Sequence, residues 1–180
     1  MAIPSTHKSS RRTARQVEAT QQLIAFRLRQ HLCALPINVV QKVVPMGNVY
    51  GDMPLTGVSL TLYQNKELLV VDVGHRIFRE APNQDLSLSG SSSSAQHQQG
   101  FNLLQRYLLV VQNSQGELIG LPIDSSPTLR RVPESAFAPL PPAYISEANI
   151  HCVSSLVIQT LEEPPLFLLN PDQLLIVTNL

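Results

Sequence analysis

The sequence predicts an all-β protein made of two similar small units packed as one body. Three observations carry this. Short runs rich in Val, Ile and Leu recur between turn signals from Leu23 to Leu169, the pattern of a sandwich or barrel. No run of helical period is long enough for a bundle. Two landmarks recur in the same order in both halves of the chain.

The elements follow in order. Leu23–Leu28 reads as a strand whose later half alternates, and His31–Leu35 as its short return. Val39, Val40, Val43 and Val44 form a third apolar cluster stopped by Pro45, and residues 45–56 are loop. Val58–Tyr63 alternates, with Val58, Leu60 and Leu62 on one face and Ser59, Thr61 and Tyr63 on the other. Gln64-Asn65-Lys66 is a turn in which Asn65 is suited to positive φ. Glu67–Val73 returns as an apolar strand and completes a hairpin. After Leu103, Arg106–Val111 is a strand, Asn113–Gly116 a turn with Gly116 in the left-handed position, and Glu117–Ile123 the return. Leu129–Val132, Ile150–Thr160 and Leu166–Leu169 are further strands, with a Pro-rich connector over 133–142. Pro171–Leu175 suits a short terminal helix, with Asn170 as its cap and Pro171 at its first position.

The repeated landmarks are specific. Leu35-Pro36-Ile37-Asn38 is matched by Leu121-Pro122-Ile123-Asp124, each preceded by a small residue, Ala34 or Gly120. Leu68-Leu69-Val70-Val71-Asp72 is echoed by Leu166-Phe167-Leu168-Leu169-Asn170, each strand ending in an Asx residue suited to capping a short helix. Either half alone buries too little to be stable, so the two are expected to share a core.

Composition bounds the function. With 43% hydrophobic and only 14% charged residues the chain is globular, and its zero formal net charge gives no general argument for nucleic acid or membrane. Lys8, Arg11, Arg12 and Arg15 stand in the first 15 residues, which hold no acids, so residues 1–20 are expected to be a disordered basic tail, ending in a short helix near Gln16–Gln22. A weak membrane or nucleic-acid contact is the tail's alternative reading. The folded domain is then 21–180, with 82–100, which holds Ser91–Ser94, as a flexible surface insertion. Cys33 and Cys152 are the only cysteines; without a CxxC and in apolar surroundings they are expected as buried free thiols. The N-terminus lacks the apolar run of a signal peptide and no apolar stretch approaches membrane-spanning length, so a cytoplasmic location is expected.

The sequence carries no recognisable catalytic signature. There is no G-x-S-x-G elbow, P-loop or G-x-G-x-x-G. His7, His31, His75, His97 and His151 show no i, i+4 zinc spacing. His151 and Cys152 are neighbours, which on a strand point to opposite faces. Glu162 and Glu163 read as a turn. Asp72 and Asp124 each end a strand, where a cap or turn outranks a paired catalytic site. Neither enzyme activity, metal nor cofactor is expected.

Ala34-Leu35-Pro36-Ile37 with Val40 and Val43 resembles the opening signature of CheW-like domains. Glu67–Asp72 resembles the family strand that ends in valine-aspartate. Gly120–Asp124 resembles the mid-chain glycine-leucine-valine-aspartate segment, and Leu168–Leu175 the closing leucine-rich segment. The resemblance covers about Leu23 to Ile176. It implies two SH3-like five-stranded barrels packed together. It also implies a non-catalytic adaptor whose partners are the regulatory domain of a CheA-type histidine kinase and the cytoplasmic tip of a chemoreceptor.

The departures from the family are local. Anchored on Asp72, the family's asparagine-leucine-arginine-glycine turn falls on Leu62, Tyr63, Gln64 and Asn65, so Gln64 lacks the fixed charge and five-donor fork of arginine. The usual proline in the following strand is Leu69, and the closing aspartate is Asn170. The resemblance places partner binding at Gln64, Asn65 and Tyr63, with Val39 and Val43 as exposed members of the valine cluster; simple core is the competing reading for that cluster. Two rival readings stand beside the adaptor: a two-barrel scaffold with a non-kinase partner, and a small β-barrel enzyme with an unrecognised site.

Overall fold

The computed structural model describes residues 18–51, 56–78, 107–142, 144, 152–160 and 162–174. Among these, twelve strands form two six-stranded sheets. In chain order they are β1 (Thr20–Leu28), β2 (His31–Pro36), β3 (Val40–Pro45), β4 (Val49–Tyr50), β5 (Val58–Tyr63) and β6 (Lys66–Val71), then β7 (Tyr107–Gln112), β8 (Leu118–Ile123), β9 (Thr128–Pro133), β10 (Phe137–Ala138), β11 (Val153–Val157) and β12 (Leu166–Leu169). One short α-helix, α1 (Val73–Phe78), follows β6, and a 3-10 turn (Pro171–Gln173) follows β12. Both are capped as the Asx residues predict: Asp72 Oδ1 accepts from the His75 N–H at 3.0 Å, and Asn170 Oδ1 from the Asp172 N–H at 3.0 Å.

Sheet I has the order β10-β11-β12-β2-β1-β9 and sheet II the order β3-β7-β8-β6-β5-β4. Strand n of the first half thus occupies the place of strand n + 6 of the second. The internal repeat is real, but each sheet takes two strands from one half and four from the other. The halves exchange their opening hairpins, so neither is a unit by itself. The registers match the repeated landmarks: β2 runs parallel to β12 with Ala34 opposite Leu168, and β8 runs parallel to β6 with Gly120 opposite Val70.

Connectivity forces each sheet to roll up. β3 and β4 are the two edges of sheet II, yet only residues 46–48 join them. Flat, the edges would stand about 24 Å apart at the usual strand spacing, while so short a link spans at most about 14 Å. In sheet I, β9 and β10 are likewise opposite edges joined by the 3-10 turn Glu134–Ala136. Both sheets are therefore curled into barrels, with no ladder between their edges among the described residues. The two-residue strands β4 and β10 bring each to six strands rather than the expected five.

Three apolar clusters fill this architecture. Leu23, Ala25, Ala34, Val132, Val157 and Leu166 fill the inside of sheet I, and Leu68, Val70, Leu108 and Val110 the inside of sheet II. The largest lies between the sheets and includes Phe26, Leu28, Cys33, Leu35, Val71, Leu109, Val111, Ile119, Leu121, Phe167 and Leu169. The central strands are thus buried on both faces, which is why β7 and β8 read as unbroken apolar runs instead of alternating.

Two local expectations are corrected. Thr20–Gln22 is strand, not the end of a short helix, because it pairs with Arg131–Pro133 of β9. The loop expected over 45–56 contains β4. The tail up to residue 17 and the 82–100 insertion lie outside the described residues.

Candidate docking face

Strand β5 departs from the ordinary alternation. Its polar residues Ser59 and Thr61 are buried, while Leu60 and Leu62 are 40% and 66% exposed. The reason lies in the short β3–β4 link. Thr61 Oγ1 donates to the Asn48 carbonyl at 2.7 Å, tying β5 to the link that brings the edges together. Gly51, at φ 111°, lies alongside Ser59. The leucines are left on the outer face.

That face continues the contact between the sheets beyond its end. Cross-strand partners share a face, and one row runs Val40–Val111–Ile119–Leu69–Leu60. It starts in the central core and ends in solvent. Tyr50, opposite Leu60 on β4, extends it and is 57% exposed. The corresponding row in sheet I is Phe26–Cys33–Phe167–Leu156, and it is buried throughout. There Leu140 packs against the core and Tyr144 stands edge-on to Phe167 with centroids 6.0 Å apart. Contiguous exposed apolar surface of this kind marks interaction sites.

The sequence-predicted site residues fall into two groups. Gln64 and Asn65 form a two-residue turn joining β5 to β6, with φ of 51° and 61°, so both, and not Asn65 alone, are left-handed, as a type I′ hairpin requires. Both are exposed, and the Gln64 amide donates to Tyr63 Oη at 3.3 Å. Tyr63 is half-buried against the interior of sheet II. Val39 is half-buried against the central core, while Val43 is 37% exposed on edge strand β3. Val43 lies on edge strand β3, and Val39 in the 3-10 turn before it, on the far side of β4 from the β5–β6 hairpin once the sheet is rolled. The prediction missed Leu60 and Tyr50, whose exposure depends on which face of β5 turns inward.

A second site was also missed. Arg29, in the β1–β2 turn at φ 54°, has its side chain buried between the sheets. Its Nη2 donates to Asp72 Oδ2 at 2.9 Å, its Nη1 stands 3.8 Å from Asp124 Oδ1, and its backbone N–H donates to Asp124 Oδ2. The side chains of Arg29, Asp72 and Asp124 are only 6%, 2% and 12% exposed. Asp72 and Asp124 do meet, but as anchors for one cation that ties the hairpin of sheet I to the strand ends of sheet II. Burial lifts the Asp124 carboxyl above its usual range, Asp72 lifts it further, and Arg29 opposes. Gly74 packs tightly beside this cluster: a Cβ there would lie 3.3 Å from Asp72 Oδ1 and 3.4 Å from Arg29 Cγ.

The cysteines are buried and unbridged, and burial, aided by Cys152, pushes the Cys33 thiol far up, so it stays protonated. Among the described residues no group of three His, Cys, Asp or Glu is placed to hold a metal. No helix among them is long and apolar enough to cross a membrane.

These features define a class: an all-β protein of two packed, rolled sheets with an exposed apolar face at one end of the row they share. The sequence matches the model of the CheW-like domain over residues 22–177, and the chain belongs to that family. Its fold is similar to that in the crystal structure of the scaffolding protein TtCheW from Thermoanaerobacter tengcongensis, with a TM-score of 0.58 and 16% identity, covering 84% of this chain and 90% of that one. A search of curated proteins gives no match.

Proposed function

We propose that this chain is a non-catalytic coupling adaptor that joins chemoreceptor cytoplasmic tips to the regulatory domain of a CheA-type histidine kinase. It acts in the cytoplasm, without a cofactor, in a chemosensory system controlling chemotaxis, phototaxis or pilus motility. The observation that carries the reading is the exposed Leu60–Leu62 face in a CheW-like fold whose central strands are otherwise buried on both sides. Gln64, Asn65 and Tyr63 stand at the end of the same hairpin, while Val43 offers a separate contact on β3. An adaptor needs two faces of moderate affinity on one rigid body, and two barrels sharing a core supply them.

Calorimetric titration of the full chain with a kinase regulatory-domain fragment tests this. Saturable binding by the wild type supports the adaptor. Absence of binding by both the wild type and Gln64→Arg ends that reading and leaves the fold untouched. Gln64, which stands where the family carries arginine, favours a second reading, a two-barrel scaffold with a non-kinase partner. Recovery of kinase binding only in Gln64→Arg would select it.

A further inference from the structure

The β5 face has a charge as well as a shape. Leu69 of β6 pairs with Ile119 of β8 in parallel register, and two residues earlier in sequence stand Glu67, on β6, and Glu117, just before β8. Glu67 also lies directly opposite Leu62. The exposed leucines are therefore bordered by two exposed carboxylates, one on β6 and one just before β8. Like charges so placed repel one another, a cost that a cationic partner removes. Glu117 Oε2 accepts from Asn113 Nδ2 at 2.8 Å, and neither carboxylate is paired with a basic side chain among the described residues. Lys66, next to Glu67 in sequence, points to the opposite side of the strand. Asp172, which accepts from the Ser114 N–H at 2.6 Å, adds a third carboxylate at the β7–β8 turn.

Shape selects the kind of segment. The edge strand β4 has only two residues, so it offers almost no backbone ladder for an added strand. The row Tyr50–Leu60–Leu69 crosses three strands, about 10 Å, which is about the width of one α-helix. Building on the reading of this face as a docking surface, we propose that its occupant is a basic amphipathic helix. An apolar stripe with spacing i, i+3, i+4, i+7 lies over Tyr50, Leu60 and Leu62, and Lys or Arg residues flanking the stripe reach Glu67 and Glu117. The partner is chosen by positive charge at the position where Gln64 supplies none.

The test uses two synthetic helical peptides with the same leucine stripe, one flanked by lysines and the other by glutamates. Their binding to the full chain is read by fluorescence anisotropy. The lysine peptide is expected to bind about tenfold more tightly at low salt and to lose most of that advantage in about 0.5 M salt. Glu67→Gln combined with Glu117→Gln erases the preference, and Leu62→Asp weakens both peptides. The salt series needs no substitution, so it decides even where a variant folds poorly. Equal binding of the two peptides, a preference for the glutamate peptide, or binding of neither overturns the proposal. So does sedimentation showing a dimer of the chain that Leu62→Asp dissolves, since the face then belongs to a second copy. Kinase titration fails or succeeds independently of these outcomes, which separates the loss of this proposal from the loss of the adaptor reading.

Discussion

Sheet I and sheet II are two versions of one rolled sheet, and they differ where function is expected. In sheet I, Leu156 holds the place that Leu60 holds in sheet II, yet Leu156 is 6% exposed and Leu60 40%. The equivalent of the buried Thr61 is Val157, an ordinary core residue. Sheet I is finished as core; sheet II leaves the same row open. The two opening hairpins differ as well. The turn of sheet I drives Arg29 into a buried pair of carboxylates, whereas the turn of sheet II meets the other sheet through an exposed bond from the Ser114 N–H to Asp172. An internal repeat thus fixes where the strands go, while single substitutions decide which copy holds the barrels together and which copy faces a partner.

The sharpest way to break this asymmetry is at the hairpins. Arg29→Met leaves two carboxylates buried without their cation and should cost about 3–5 kcal/mol of stability. Asp172→Ala, at the equivalent and exposed contact, should cost no more than about 1 kcal/mol. Urea denaturation of both variants reads the difference. Leu156→Ala should cost about 2–5 kcal/mol and Leu60→Ala less than about 1 kcal/mol, as measured in the same way. Gly120 is the third point of comparison, because its counterpart is Ala34. A Cβ on Gly120 would sit 2.9 Å from Leu108 Cδ1 and 3.3 Å from Leu68 Cδ2 and Val70 Cγ2. Gly120→Ala should therefore cost about 1–3 kcal/mol, even though Ala is already the residue in the other sheet.

The smallest effect concerns pH. The folded chain lifts the Asp124 carboxyl, so it holds that proton more tightly than the unfolded chain does. The resulting stabilisation is present below the ordinary carboxyl value of 3.8 and is lost as pH rises through the lifted value. The stability of wild type relative to Asp124→Asn should therefore fall as pH rises from the ordinary carboxyl value of 3.8 toward neutrality. Denaturation curves across that range measure it, and a constant difference would contradict the assignment.

Much of this was legible in the residues. The paired landmarks at Leu35–Asn38 and Leu121–Asp124, and at Leu68–Asp72 and Leu166–Asn170, carried the repeat down to its register, because small and apolar residues at fixed places are what parallel pairing on two buried faces demands. Hairpin exchange was not legible: a repeat in sequence is the same whether each half folds on itself or trades strands. The facing of β5 depends on the Asn48 carbonyl, which is placed by the barrel's closure and not by alternation. The Arg29 cluster joins residues 43 and 95 positions apart, which no local pattern announces. Gln64 and Asn65 were singled out by resemblance; the leucines that make their surroundings a surface were not.

Amide chemical-shift mapping of the full chain against a chemoreceptor-tip fragment tests the central claim most directly. The account predicts that the largest changes gather on β4, β5 and β6, at Tyr50, Leu60, Leu62 and Glu67, and that Leu62→Asp abolishes them. Changes confined to sheet I, or undiminished by Leu62→Asp, would contradict it.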